Sequence, residues 1–243
     1  MDIHKPKPWH GAREFLKEYL IIVVGVLTAL ALEAVVQNLH ERRLSAEARD
    51  AVRAEINLDL ANLKRRGSRQ ACVDRRIAEM SDFIAKAEAG KPFQLPPAIG
   101  LPGRLTAYTQ RWEAATAGGR TSLLSTDEQR DFARVYDHLI RSEKYQDWEL
   151  EAWGELQGLE GVRLPSAELL ARARGALGKA RMADRGFQSS LAQAEDRAAE
   201  IGIKGVDPHL IRPGAKAWGV DTFCIPMTPT PNGPARPAGR AEG

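Results

Sequence analysis

Two cysteines are the residues whose chemistry the sequence indicates most directly. Cys72 and Cys224 are the only cysteines among 243 residues. In a domain outside the cytoplasm, such a pair permits one disulfide, which here would tie the C-terminal tail to a long helix. The alternative is two free thiols, with Cys72 between helices and Cys224 in the tail. We therefore treat Cys72 and Cys224 as disulfide candidates.

A second group of candidates lies in and beside the uncharged apolar run of residues 19–32. Glu33 follows this run, and a carboxylate within a membrane span is a candidate for pairing with a polar group of another helix. The alternative is a carboxylate at the interface that reaches water. Gly25 and Ala29 are small and four residues apart, a spacing that allows close packing of two membrane helices. They are our transmembrane packing candidates.

The sequence contains no recognisable motif for catalysis or for cofactor binding. It contains no phosphate-binding loop, dinucleotide fingerprint or hydrolase nucleophile elbow, so we name no catalytic or cofactor-binding residue and expect a protein that is not an enzyme. A net charge of +3 is too small to indicate nucleic acid binding. The histidines are too dispersed to predict a metal site; they are His4, His10, His40, His138 and His209.

The apolar run predicts a transmembrane helix over residues 13–38. Residues 19–32 alone would span about 21 Å, and a hydrocarbon core of about 30 Å needs roughly 20 residues, so the helix must extend at both ends. A cleaved signal peptide is one alternative, although helical patterning continues past the run. A buried core helix is another, although the run is apolar on every face.

Orientation is not decided by charge, because each side of the predicted span carries four basic residues within a short distance. We expect a flexible leader over residues 1–12, where Pro6 and Pro8 oppose helix. We also expect this leader in the cytoplasm and the bulk of the chain outside it, because of the cysteine pair. The balanced charges are Lys5, Lys7, Arg13 and Lys17 before the span, and Arg42, Arg43, Arg49 and Arg53 after it.

Apolar residues three and four apart continue after the span and predict an all-α domain over residues 39–206. Short glycine turns between helices favour an antiparallel helical bundle, into which the transmembrane helix continues. The basic residues 64–69 interrupt the first stripe, and we expect them on a solvated surface, with the helix loosened at Gly67. Ser125 and Glu128 are three residues apart, which is the spacing of a capping box at the start of the third helix. The predicted helices are about 39–88, 105–117, 126–158 and 166–202.

The remainder of the chain, residues 207–243, is rich in proline and glycine and lacks helical periodicity. We expect this tail to be largely disordered after residue 225. A disulfide at Cys224 would hold the part of the tail that precedes the disordered end.

Several stretches resemble an uncharacterised family of bacterial single-span membrane proteins. In this chain they are residues 14–18 (EFLKE), 21–30 (IIVVGVLTAL) and 72–76 (CVDRR), and residues 112–115 (WEAA) leading through a glycine pair to Phe132 and Tyr136. The resemblance covers most of residues 12–160. It implies a membrane protein with a helical domain and brings no known activity or catalytic residue.

These observations together predict a membrane-anchored helical bundle that serves as a binding, scaffold or sensor module in the bacterial envelope. We expect it in the inner membrane, as a single-pass protein with its bulk in the periplasm. Its expected partners are the lipid bilayer and either another protein or a second copy of the chain. An envelope enzyme without a recognisable motif and a cytoplasm-facing, membrane-tethered coiled-coil adaptor are the alternatives.

Overall fold

A computed structural model describes residues 11–93, 98–206 and 222–227, and within these ranges it contains helices and turns but no strand. The predicted all-α fold is therefore confirmed. Most of the predicted leader and of the predicted disordered tail lies outside the described residues, and both stay predictions.

The first helix, α1, runs without interruption from Ala12 to Gly67 and contains 56 residues. At about 1.5 Å per residue it is roughly 84 Å long, far longer than a bilayer is thick. Its N-terminal part holds the apolar segment, defined here as residues 15–39, whose large apolar side chains are all more than half exposed, apart from Val23. By length and composition, this part of the helix could cross a membrane.

A short break separates α1 from α2, which covers Gln70–Glu88. The predicted helix of residues 39–88 is thus divided at Ser68 and Arg69. The Ser68 hydroxyl donates to the Arg65 carbonyl, and the Ser68 amide still reaches the Lys64 carbonyl at 2.8 Å. The break is therefore a local turn next to the glycine at which we expected the helix to loosen.

The third helix, α3, covers Gln110–Ala117 and begins five residues later than predicted. Gly119, with φ of 69°, ends this segment and leads into a 3-10 helix, Arg120–Leu123. A left-handed residue of this kind is accessible to glycine at little cost, so the predicted glycine termination is explained by backbone geometry.

The two longest helices of the domain are α4, Thr126–Gln157, and α5, Ala167–Glu200. The predicted capping box begins α4, because the Ser125 hydroxyl accepts the Glu128 amide while the Glu128 carboxylate accepts the Ser125 amide. Lys179 pairs with Glu155 at 2.8 Å, whereas Gly186 lies against Tyr145, so these two helices run antiparallel. Antiparallel order of the entire bundle stays a prediction.

Two apolar cores succeed each other along the bundle. The first core joins α1 to the first half of α4 and the second half of α5, and includes Ile56, Leu60, Tyr136, Leu139 and Phe187. The second core joins α2 to the other halves of α4 and α5, and includes Met80, Phe83, Trp153, Leu156 and Leu177. The break between α1 and α2 therefore coincides with the boundary between the cores.

Candidate functional site

A layer of buried polar side chains occupies the boundary between the two cores. Arg66, in the last turn of α1, donates to the Glu149 carboxylate of α4, and both side chains are at most 2% exposed. Gln70, the first residue of α2, donates to Asp184 of α5 at 2.8 Å and accepts from Gln188. We call these five residues the polar layer, and it links every long helix at one level of the bundle.

Charge in the polar layer is incompletely neutralised. Burial raises the pKa of Glu149 and of Asp184, and the positive charge of Arg66 opposes both shifts. Nε and Nη1 of Arg66 and one oxygen of each carboxylate make no hydrogen bond to a described residue. The Arg66 guanidinium also lies 5.1 Å from the centre of the Phe187 ring. A buried pair of this kind adds little net stability, but removal of one partner alone is strongly destabilising because it leaves an unpaired buried charge.

Two buried acids of α1 and a partly buried acid of α4 hold the backbone before and at the start of α3. The Asp59 carboxylate accepts the Tyr108 amide at 2.8 Å, and Glu143 accepts the Ala107 amide at 3.0 Å. Glu55 accepts the amides of Arg111 and Trp112 at 2.9 and 3.3 Å. These bonds satisfy amides at the start of α3 that have no partner within the helix.

An amide side chain on α4 accounts for the late start of α3. Gln146 pairs with both the amide and the carbonyl of Leu105, at 2.9 and 3.1 Å. Residues 105–109 consequently lie along α4 in a non-helical conformation, where we had predicted the first turn of a helix. The side chains that replace helical hydrogen bonds come from distant parts of the chain, so the late start was not visible in the local sequence.

Electrostatics in this acid cluster are dominated by burial. Burial raises the pKa of Asp59 to about 8. The hydrogen bond from the Tyr108 amide lowers this pKa, but not enough to compensate for lost water, and the nearby Glu55 charge raises it further. The Tyr136 hydroxyl donates to Glu55 at 2.6 Å, and burial also raises the pKa of this phenol. Asp59 therefore carries a proton at neutral pH and contributes no negative charge there.

The two cysteines lie together in the structure. A disulfide joins Cys72 on α2 to Cys224, with their Cα atoms 4.9 Å apart. The bridge fixes residues 222–227, which we call the tail strap. This arrangement matches the predicted disulfide between the long helix and the tail.

Arg76 binds the tail strap independently of the disulfide. Its guanidinium is almost completely buried and donates to the carbonyls of Phe223, Ile225 and Ala98 at 3.0, 2.6 and 3.2 Å. Phe223 packs edge-on against Trp153, with ring centres 5.0 Å apart. The strap is therefore part of the second core and not an appendage to it.

The predicted membrane candidates lie on exposed helix surface. Gly25, Ala29 and Glu33 follow one another at steps of four along α1, so they share one face. A Cβ at Gly25 would meet no atom within 4 Å. Thr28 donates to the Val24 carbonyl at 2.8 Å, which satisfies its hydroxyl within the helix. No described residue of the chain thus packs against this face at Gly25.

The sequence interpretation overlooked the buried charges. We expected residues 64–69 on a solvated surface, but Arg66 is only 1% exposed. A usable signal was present, because Arg76 lies three residues after Val73 and four before Met80, on the same helix face. Asp59 lies three residues after Ile56 and four before Leu63, and Glu55 lies four residues before Asp59 on the same face. From the sequence we predicted an interruption of the stripe only at residues 64–69, and we assigned no buried binding role to these three charged residues.

The described residues offer no metal-binding site. Within the described ranges, no group of three His, Cys, Asp or Glu side chains could hold a metal ion.

Comparisons with protein-family models, with curated proteins and with solved structures give no match to this chain. Fold and side-chain geometry are therefore the observations from which a function can be argued.

Proposed function

We propose that this chain is a single-span, membrane-anchored helical bundle that acts as a binding, scaffold or sensor module of the bacterial envelope. The observation that carries the proposal is the continuity of α1. The same uninterrupted helix presents an apolar surface along residues 15–39 and then enters the first core from Ala48 onward. Movement or contact at one end of such a helix is passed directly to the other.

Exposure of the apolar segment supports the anchor. Ile21 is 70% exposed and Val36 is 67% exposed, and large apolar side chains cover all faces between them. At about 25 cal/mol per Å² of apolar surface, exposure of a segment of this size to water is strongly unfavourable. Soluble monomers rarely expose a contiguous apolar patch of this kind, whereas a bilayer would bury it.

The disulfide supports placement of the bundle outside the cytoplasm, because disulfides persist in oxidising compartments such as the bacterial periplasm. The short N-terminal part would then remain in the cytoplasm. The family resemblance noted in the sequence is consistent with an inner-membrane location. The cytoplasm-facing adaptor predicts the opposite orientation and two free thiols in cells.

The buried acids favour a binding module over an enzyme. Glu55, Asp59 and Glu143 accept hydrogen bonds from backbone amides before or at the start of α3, so at least one oxygen of each carboxylate is engaged in positioning the chain. A general acid or base needs access to a substrate proton at hydrogen-bond distance. Carboxylates that hold the fold together are poorly placed for that role.

Alkaline carbonate extraction of native-host membranes tests the anchor. We expect the full chain to remain in the membrane pellet, and a Val24→Arg, Leu27→Arg variant to move largely to the supernatant, because charge at the centre of a span costs about 2.5–3.5 kcal/mol per residue. Leu101→Arg, Leu164→Arg is the matched control, since both leucines are exposed on the domain. Release of the wild-type chain into the supernatant would contradict the proposal.

Reporter fusions at the C-terminus test the orientation. We expect a fused alkaline phosphatase to be active, because that enzyme needs an oxidising compartment for its own disulfides. A fluorescent protein that matures only in the cytoplasm should stay dark at the same position. The reverse pattern would favour the cytoplasmic adaptor.

A further inference from the structure

We infer that a cleft at the membrane-proximal end of the bundle binds a phospholipid headgroup that carries both a phosphate and a primary ammonium. The inference rests on the proposed membrane anchor. The cleft has a volume of about 520 Å³ and lies between α1 and the 3-10 helix Arg120–Leu123. Its polar lining consists of Asn38, Glu41, Arg42, Ser45, Arg49 and Ser122.

Position along α1 puts this cleft at headgroup depth. Leu39 is the last large, mostly exposed apolar residue of the apolar segment. Arg42 follows about 4.5 Å further along the helix axis and Ser45 about 9 Å further. Each headgroup layer of a bilayer is roughly 5–7 Å thick, so the cleft would open into or just beyond that layer. The Ser45 hydroxyl also donates to the Leu123 carbonyl at 3.1 Å, which fixes the far wall against α1.

Arg42 is the cation available for a phosphate. Arg49 binds Glu128 through two hydrogen bonds, of 2.5 and 3.2 Å, and Arg43 pairs with Glu47 at 2.9 Å. Arg42 lines the cleft and makes no hydrogen bond or ion pair with another described residue. A guanidinium can bind two phosphate oxygens at once, and the Asn38 amide offers a further donor beside it.

Glu41 supplies the complementary group for an ammonium. One of its oxygens accepts the Gln37 amide at 3.1 Å, and the carboxylate also lines the cleft. The charges of Arg42 and Arg49 are balanced by Glu41 and Glu128, so the cleft carries no net positive charge. A purely anionic headgroup would leave Glu41 facing a like charge, whereas a zwitterion with a hydrogen-bonding ammonium satisfies both signs.

Native mass spectrometry of the full chain in detergent micelles tests the inference by titration with defined lipids. We expect one phosphatidylethanolamine to be retained about threefold to tenfold more strongly than phosphatidylcholine or phosphatidylglycerol. A preference of this size corresponds to one partly exposed ion pair with hydrogen bonds. Choline has no N–H to donate, and glycerol carries no cation. Addition of inorganic phosphate should not displace the lipid.

Single substitutions distinguish the cleft from general lipid adhesion. Arg42→Gln should abolish the preference for phosphatidylethanolamine, and Glu41→Gln should remove discrimination between ethanolamine and choline. Arg43→Gln is the control and should behave as wild type. Equal retention of all three lipids, equal effects of Arg42→Gln and Arg43→Gln, or displacement by phosphate would overturn the inference. Carbonate extraction reports separately on the anchor, so failure of the cleft alone is recognisable.

Discussion

At the scale of single residues, buried ionisable groups determine how this bundle responds to pH. Asp59 is fully buried and its pKa is raised to about 8, above the ordinary value of 3.8. The folded chain therefore holds one more proton than the unfolded chain between these two values. Because the native state binds the extra proton, the free energy of unfolding falls as pH rises from about 4 to about 8.

Asp59→Asn should remove much of this pH dependence. Asparagine resembles the protonated acid and can still accept the Tyr108 amide, so the variant should be closest to wild type near pH 4 and increasingly more stable toward pH 8. The gain should be on the order of a few kcal/mol. Thermal unfolding of the detergent-solubilised chain, followed by circular dichroism at both pH values, measures it. A Glu47→Gln control changes an exposed acid and should leave the wild-type pH dependence intact.

Arg76→Met should destabilise the chain by roughly 3–5 kcal/mol, because it leaves buried carbonyls of the tail strap without their donor. Chemical denaturation under non-reducing conditions checks this, and Arg181→Met, on the exposed surface of α5, is the control. If both variants unfold at the same denaturant concentration, Arg76 does not hold the strap.

Residue-scale predictions from sequence were good where chemistry is local and poor where it is long-range. The capping box at Ser125 and Glu128 was predicted because its partners are three residues apart. The binding of Arg76 to the tail strap was missed because its partners lie about 147 residues away in sequence. A single sequence shows which face a residue occupies, and it does not show which distant carbonyl will meet it.

At the scale of elements, the pairing of α4 with α5 depends on a close approach at one glycine. A Cβ added to Gly186 would lie 2.2 Å from a ring carbon of Tyr145, whereas a Cβ at Gly178 on the same helix would meet nothing within 4 Å. Substitution of alanine at Gly186, which is closely packed, and at Gly178, which faces open space, therefore gives a matched pair of variants.

Gly186→Ala should lower the free energy of unfolding by about 1–3 kcal/mol, since the Tyr145 ring must move. Gly178→Ala should raise it by up to about 1 kcal/mol, because alanine favours an exposed helix interior more than glycine does. Urea unfolding of the two variants beside wild type makes the comparison. Equal shifts in the same direction would show that the helices do not touch as described.

The tail strap is the second element whose contribution can be measured. Loss of the bridge in Cys72→Ser removes a constraint that closes a loop of about 150 residues, worth at most on the order of 4–5 kcal/mol. The variant should unfold earlier than wild type without reductant and like reduced wild type with it. Identical unfolding of oxidised and reduced wild type would mean that the bridge does not form in solution.

Helix boundaries were predicted accurately from the sequence where local residues set them and poorly where tertiary contacts do. Helix ends set by glycine turns and by the two N-terminal serine caps lie within a residue or two of those predicted. The start of α3 was predicted five residues early, because side chains of α1 and α4 replace its first helical hydrogen bonds. Tertiary contacts override local helix preference at that point.

At the scale of the whole molecule, the arrangement is a rod with two cores and a polar joint. The apolar segment of α1 continues into the first core, the polar layer follows at the break after α1, and the second core is closed by the tail strap. A signal or load arriving through α1 would meet the Arg66–Glu149 pair before it reaches the second core. All of this depends on α1 being one helix that lies in lipid at one end and in protein at the other.

The most direct test of whether α1 is one helix with one end in lipid and the other in protein is spin-label accessibility along α1, measured on the full chain in lipid nanodiscs. Labels placed singly over residues 20–60 should collide with oxygen, and not with a water-soluble relaxant, up to about residue 36. Beyond residue 48 they should alternate between protected and water-exposed with a period of about 3.6. Water accessibility across residues 20–36, or the absence of a period of about 3.6 beyond residue 48, would contradict the account.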